Sequence, residues 1–117
     1  MNVAEAAKKL DGTLVAAAAI AAERDIQGGF ASDLLSDVMG NSREGDVWVT
    51  LQKHVNIVAV AQLNGLAAIV LVNGRKPEPD TLARAEELSI PIISTPMQAF
   101  EAVGILYSLG IRGRRQI

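Results

Sequence analysis

From residue 46 to residue 109 the chain repeats one pattern three times, a short β-branched or aliphatic run followed by a longer stretch with apolar residues at helical spacing. Residues 46–51 alternate Val47, Val49 and Leu51 against Trp48 and Thr50, and residues 53–63 follow with Val55, Val58, Ala59 and Gln62 along one helical face. Asn64-Gly65 closes that helix. Residues 67–72 are an unbroken aliphatic run, the pattern of a strand covered on both faces, and Asn73-Gly74 turns the chain at its end. Pro77 and Pro79 lead into a helix over 80–88 with Leu82, Ala85 and Leu88 on one side, and 90–94 is a further short buried strand. Thr95-Pro96 reads as the start of the last helix, with Thr95 as its N-cap, proline in the tolerated first position and Gly110 as its stop. A chain that re-enters a sheet in the same direction must first travel back along it, so this alternation demands parallel strands joined by crossover helices. The expected fold is a three-layer α/β/α sandwich around a mostly parallel sheet of about five strands.

The earlier part of the chain supplies the remaining pieces. Residues 3–10 place Val3, Ala6, Ala7 and Leu10 on one helical face with Lys8 and Lys9 opposite, and Asp11-Gly12 ends that helix. Residues 13–17 read as a buried strand, and beyond the polar break Glu23-Arg24-Asp25 a second extended segment spans 26–32 through Gly28-Gly29. A short helix is expected over 34–39, capped by Ser32 or Asp33, whose side-chain oxygen can accept from the free N–H groups of a first turn.

A chain of 117 residues is one domain's worth, read here as a domain over 1–112 and a basic tail over 113–117. Half of it is apolar, yet only Phe30, Trp48, Phe100 and Tyr107 are aromatic, which leaves an aliphatic core and no platform for stacking bases. The formal charge is −2, and the one basic cluster, Arg112, Arg114 and Arg115, falls in the tail as a solvated end, so no nucleic-acid partner is expected. The absence of cysteine excludes disulfides, thiolate zinc sites and cysteine nucleophiles, and fits a reducing cytoplasm. Residues 14–22 resemble the apolar stretch of a signal peptide, but Glu5, Asp11 and Gly12 precede it and it is too short to span a bilayer, so it reads as buried structure, with no membrane partner.

In open α/β sheets ligands sit outside the carboxyl ends of the strands, where loops and helix starts present free N–H groups. Here those ends carry Gln52, Lys53 and His54, then Asn73-Gly74-Arg75-Lys76, then Ser94-Thr95. The candidate ligand contacts are therefore Gln52, His54, Asn73, Gly74, Arg75, Ser94 and Thr95. The glycine turn at Asn73-Gly74 would present backbone N–H groups beside two cations, an arrangement suited to an anion; its plain alternative is a solvated turn. His54 has no carboxylate at ligand spacing and reads as a capping or surface residue before a base or metal ligand. Asp33 and Asp37, four apart, would share one face of the short helix, where a divalent-ion or acid/base pair stands against two solvated carboxylates at a helix start. Neither GxxxxGK[ST] nor GxGxxG occurs, which removes the usual triphosphate and dinucleotide cradles. No cofactor, metal or catalytic set is expected.

Gly28-Gly29-Phe30-Ala31-Ser32-Asp33-Leu34-Leu35-Ser36-Asp37-Val38-Met39 resembles the signature segment of the DRTGG domain family. The stretch Glu44-Gly45-Asp46-Val47-Trp48-Val49-Thr50-Leu51-Gln52, residues 56–75 and Ile92-Ile93-Ser94-Thr95 are similar to that family in order and spacing, and the resemblance spans residues 3–112. At the namesake motif Arg24 and Gly28-Gly29 are present, with Asp25-Ile26-Gln27 where a shorter link containing threonine is expected. The resemblance implies a domain found alone or attached to CBS-pair, phosphotransacetylase or pyrophosphatase modules as a regulatory part. It also implies a fold like MurF and the N-terminal domain of HPr kinase/phosphorylase, and a tendency to self-associate, for which the apolar faces of 53–63 or 97–109 would serve. A kinase activity is not implied, because the phosphate loop belongs to the other half of such kinases.

The expected function is thus a non-catalytic regulatory or adaptor domain, homodimeric and cytoplasmic, binding a small anionic ligand such as a nucleotide at the strand ends. The alternatives are a structural subunit joined to a protein partner and a small metal-dependent enzyme built on Asp33, Asp37 and His54.

Overall fold

The computed structural model describes residues 1–114, so Arg115 and the rest of the expected tail lie outside the described residues. Helix α1 (Val3–Lys9) opens the chain, held by a reciprocal cap in which Asn2 accepts from the Glu5 N–H and Glu5 accepts from the Asn2 N–H. Strand β1 (Thr13–Ala16) follows, then a 3₁₀ helix over Ala18–Glu23 that occupies the alanine-rich run. Ala17, entering it with φ +51°, is held by the Glu86 carboxylate 2.8 Å from its N–H. The regular alternation then begins with β2 (Gly28–Ala31), α2 (Leu35–Asn41), β3 (Asp46–Thr50), α3 (Asn56–Asn64) and β4 (Ala68–Leu71). It ends with α4 (Pro79–Glu87), β5 (Ile92–Ser94) and α5 (Ala99–Ser108).

The five strands form one sheet in the order β1-β5-β4-β3-β2, with β2 to β5 parallel and β1 antiparallel to β5 at the edge. This is the expected mostly parallel sandwich. Strand alternation sends Val47, Val49, Val70 and Ile93 into the layer of α1 and α5, and Trp48, Ile69, Leu71 and Ile92 into the layer of α2, α3 and α4. All of these eight side chains are buried, as are the five residues of β3, its polar ends Asp46 and Thr50 included.

Several local expectations give way. Helix α3 buries Ile57, Val58, Val60 and Ala61 and leaves Ala59 and Gln62 outside, so its inner face is turned from the one the spacing suggested. Helix α2 has no side-chain cap, because the Asp33 carboxylate accepts from Thr50 Oγ1 at 2.8 Å and from the Leu51 N–H at 2.7 Å instead. Ser32 accepts from the Leu34 N–H at 3.1 Å, one residue before the helix. Helix α5 begins at Ala99 rather than at Thr95-Pro96, since the Thr95 hydroxyl is drawn inward to donate to the Leu10 carbonyl at 2.6 Å.

The free edge of β2 is covered by residues 111–114. The Arg112 carbonyl accepts from the Gly29 N–H at 3.0 Å, and the Arg112 guanidinium lies 3.8 Å from the centre of the Tyr107 ring. Arg114, expected in a solvated tail, instead donates to the buried carboxylate of Asp46 through Nε at 3.1 Å and through Nη2. Asp46 also accepts from the Arg43 N–H at 2.8 Å, so a carboxylate deep in the sandwich gains the donors its burial demands.

Candidate functional site

The carboxyl ends of β2 to β5 bring the sequence-derived candidates to one rim, and their hydrogen bonds sort them. Thr95 is fully buried, donates to Leu10 and accepts from the Met97 N–H at 3.2 Å, which makes it a pin between the two ends of the domain. Ser94 donates its hydroxyl to the Arg75 carbonyl at 2.7 Å, tying the end of β5 to the loop after β4. The turn after β4 does adopt left-handed geometry, with φ +60° at Asn73 and +67° at Gly74. Its N–H groups, however, are spent within the fold: Asn73 donates to Met97, Gly74 to Thr95 and Arg75 to Val72, at 2.8, 2.8 and 3.2 Å. These three backbone N–H groups, weighed in the sequence as an anion site against a plain solvated turn, thus face the protein's own carbonyls.

Gln52 donates from Nε2 to the Asp33 carbonyl at 3.0 Å, and its N–H donates to Thr50 Oγ1 at 3.2 Å. His54 is exposed, and its Nδ1 accepts from the Asn56 N–H at 3.2 Å, a cap on the first turn of α3. Asp37 accepts from Asn41 Nδ2 at 2.8 Å, while Asp33 serves Thr50 and Leu51. The set Asp33, Asp37 and His54 does not assemble: among the described residues no three of His, Asp and Glu gather as a metal site. What remains unspent at this rim is side-chain charge. Lys53, His54, Arg75 and Lys76 are all exposed on the loops after β3 and β4, two strands paired through Thr50 and Leu71. These loops are braced where the Lys53 carbonyl accepts from the Glu78 N–H at 3.2 Å and from Thr81 Oγ1 at 2.9 Å.

The strand order explains why this rim is shallow. Successive strands from β2 to β5 step in one direction across the sheet, so neighbouring loops lean on one another and no reversal opens a crevice between them. The hollow lined by Ser32, Asp33, Thr50, Leu51 and Ala99 holds about 200 Å³. The larger cleft, about 730 Å³, lies at the opposite end, around Arg24, Asp25, Gln27, Glu44, Gln62 and Gly65. Its signal in the sequence was the departure at Asp25-Ile26-Gln27: Ile26 turns into the core, and Asp25 and Gln27 turn out on either side of it.

The described residues form a three-layer α/β/α sandwich, and among them no group of His, Asp and Glu gathers as a metal site. The DRTGG domain profile matches residues 5–109, nearly the whole chain, and the protein belongs to the DRTGG domain family. No curated protein sequence matches it. Its fold is similar to a crystal structure of the CBS and DRTGG domains of the regulatory region of Clostridium perfringens pyrophosphatase, complexed with its activator diadenosine tetraphosphate. The two share a TM-score of 0.63 at 15% sequence identity, over 89% of this chain and 48% of that one. This chain therefore spans about half the length of that structure, and at this identity the likeness is one of fold. Among the described residues no helix is long and apolar enough to cross a membrane.

Proposed function

We propose that this chain is a cytoplasmic regulatory domain that binds, and does not transform, a small anionic ligand of the nucleotide class. The observation that carries the reading is the group of exposed cationic and imidazole side chains, Lys53, His54, Arg75 and Lys76, on two adjacent and mutually braced loops. With the backbone donors of the turn already used, recognition falls to these side chains, joined by the Asn73 amide and by Gln52 and Ser94 at the edge, while the buried Thr95 holds the rim from behind. A nucleotide-binding relative of the same fold, the pyrophosphatase regulatory region with its diadenosine tetraphosphate activator, supports the ligand class.

Self-association is part of the same proposal. The inner face of α3 is consumed by the core, leaving Leu63 outside, whereas α5 keeps Phe100, Val103 and Tyr107 exposed around Gly104, with Phe100 at 89% exposure. A stripe at i, i+3, i+4 and i+7 suits a symmetric helix-on-helix contact, in which a patch meets its own copy.

Thermal unfolding against a panel of adenine and guanine nucleotides tests the ligand. A nucleotide at about 100 times its Kd adds about 2.7 kcal/mol. The expected result is a raised midpoint for at least one nucleotide, lost in the Arg75→Gln/Lys76→Gln double variant. A flat response across the panel ends this reading.

A further inference from the structure

We infer that the cleft at the amino ends of the strands is a second ligand site, of the opposite electrostatic character, for a small aliphatic ammonium compound. At about 730 Å³ it has the volume of a small-molecule site, and behind its polar groups lie Ala61, Leu66, Leu88 and Ile90, of which Leu88 is partly exposed. Its rim carries Glu23, Arg24, Asp25, Gln27, Glu44 and Gln62. Three carboxylates thus face one cation, since Arg114, the other arginine at the rim, is already paired with Asp46. None of the three carboxylates forms an ion pair among the described residues, and all three are exposed.

The wall behind these groups is built rather than incidental. The Gln27 N–H donates to the Gly45 carbonyl and the Gly45 N–H to the Gly65 carbonyl, each at 2.9 Å, which locks the loops before β2, β3 and β4 into one row. Gly45 and Gly65 both have left-handed φ, +84° and +64°. The space where a Cβ would stand on Gly45 is filled by Gln27 Cγ, 2.5 Å away, and on Gly65 by Glu44 Cγ, 3.1 Å away. Each glycine is a seat for a rim side chain, and Gln27 and Glu44 are fixed at the mouth of the cleft as a result.

The occupant follows from how the charge is spread. Three carboxylates at one cleft, which among the described residues do not gather as a metal site, match ammonium groups carried on a flexible chain, with Leu88 offering apolar surface to the methylenes between them. Two sources offer this chemistry, linear polyamines and basic amino acids. Arg24 discriminates between them, because it opposes a pure polycation and attracts an α-carboxylate.

The test is calorimetric titration of the full chain with spermidine and with L-lysine, repeated on an Asp25→Asn/Glu44→Gln double variant and on Arg24→Gln. Both carboxylate residues are exposed, and glutamine preserves the packing of Glu44 over Gly65, so the fold is retained. Binding of at least one compound is expected, weakened about tenfold or more in the double variant, in line with the loss of charge-assisted hydrogen bonds. In Arg24→Gln a polyamine binds more tightly and lysine more weakly. Absence of binding by either compound at millimolar concentration, or binding unchanged in the double variant, overturns the inference. The Arg75→Gln/Lys76→Gln variant, at the other end of the sheet, leaves this titration unaltered, so the two sites fail or stand separately.

Discussion

Replacing Thr95 by valine changes almost nothing in shape and removes the hydroxyl that joins Leu10 to Met97. Thr95 and Leu10 are both fully buried, so neither lost bond is replaced by water without rearrangement. Each hydrogen bond contributes about 1 kcal/mol net, and the stranded carbonyl adds to the loss, which sets the expected cost at about 2 kcal/mol within a range of about 1–3. An unfolding entropy of about 2.1 cal/mol/K per residue gives about 250 cal/mol/K for this chain, so the midpoint falls by about 8 °C. Thr95→Ser keeps both bonds and loses one buried methyl, about 0.8 kcal/mol. Urea unfolding followed by the fluorescence of Trp48, the single and fully buried tryptophan, reads both variants at constant slope. A valine variant as stable as the serine variant, or one that weakens nucleotide binding while leaving the unfolding midpoint untouched, would refute the assignment of Thr95 as a structural pin.

Asp46→Asn keeps the acceptor for the Arg43 N–H and removes the charge that holds Arg114; a loss of about 1–2 kcal/mol is expected, with faster hydrogen exchange at the Gly29 amide as residues 111–114 loosen. Gly45→Ala forces a left-handed φ on a residue with a Cβ and drives that Cβ into Gln27, so destabilisation of about 1–3 kcal/mol is expected from chemical denaturation, against none for Gly40→Ala on stability grounds of space. Phe100→Asp places a charge at the most exposed position of the α5 stripe; light scattering should show a dimer reduced to a protomer whose unfolding midpoint is preserved under conditions where both chains are monomeric.

The parallel core was legible because β3 and β4 are buried on both faces and centre on Val47-Trp48-Val49 and Ile69-Val70-Leu71, with glycine turns at Gly65 and Gly74 between the elements. Local rules failed where a tertiary partner outbid a neighbour. Thr95-Pro96 has the form of a helix start, but a buried carbonyl 85 positions away claims the hydroxyl, and α5 forms three residues later at Gln98-Ala99. Asp33 is a fitting cap by type and spacing, yet the end of β3 presents two donors that bind its carboxylate instead. The face of α3 was misjudged because nearly every position from Val55 to Ala61 is apolar, so spacing alone does not single out an inner side. The strand-end rim was found from topology, while its spent N–H groups were invisible, since their acceptors at Thr95 and Met97 come from a segment read as helix.

The order of the sheet has a consequence for the route by which the chain reaches it. Each of β3, β4 and β5 pairs with the strand immediately before it in sequence, so four strands can accrete one helical crossover at a time, each closing a modest loop. Strand β1 is the exception: its partner is β5, at the far end of the sequence, and it must wait until that strand exists. Folding is therefore expected to proceed by growth from the middle of the chain, with docking of the first segment as the late and slow step that the Thr95–Leu10 bond latches.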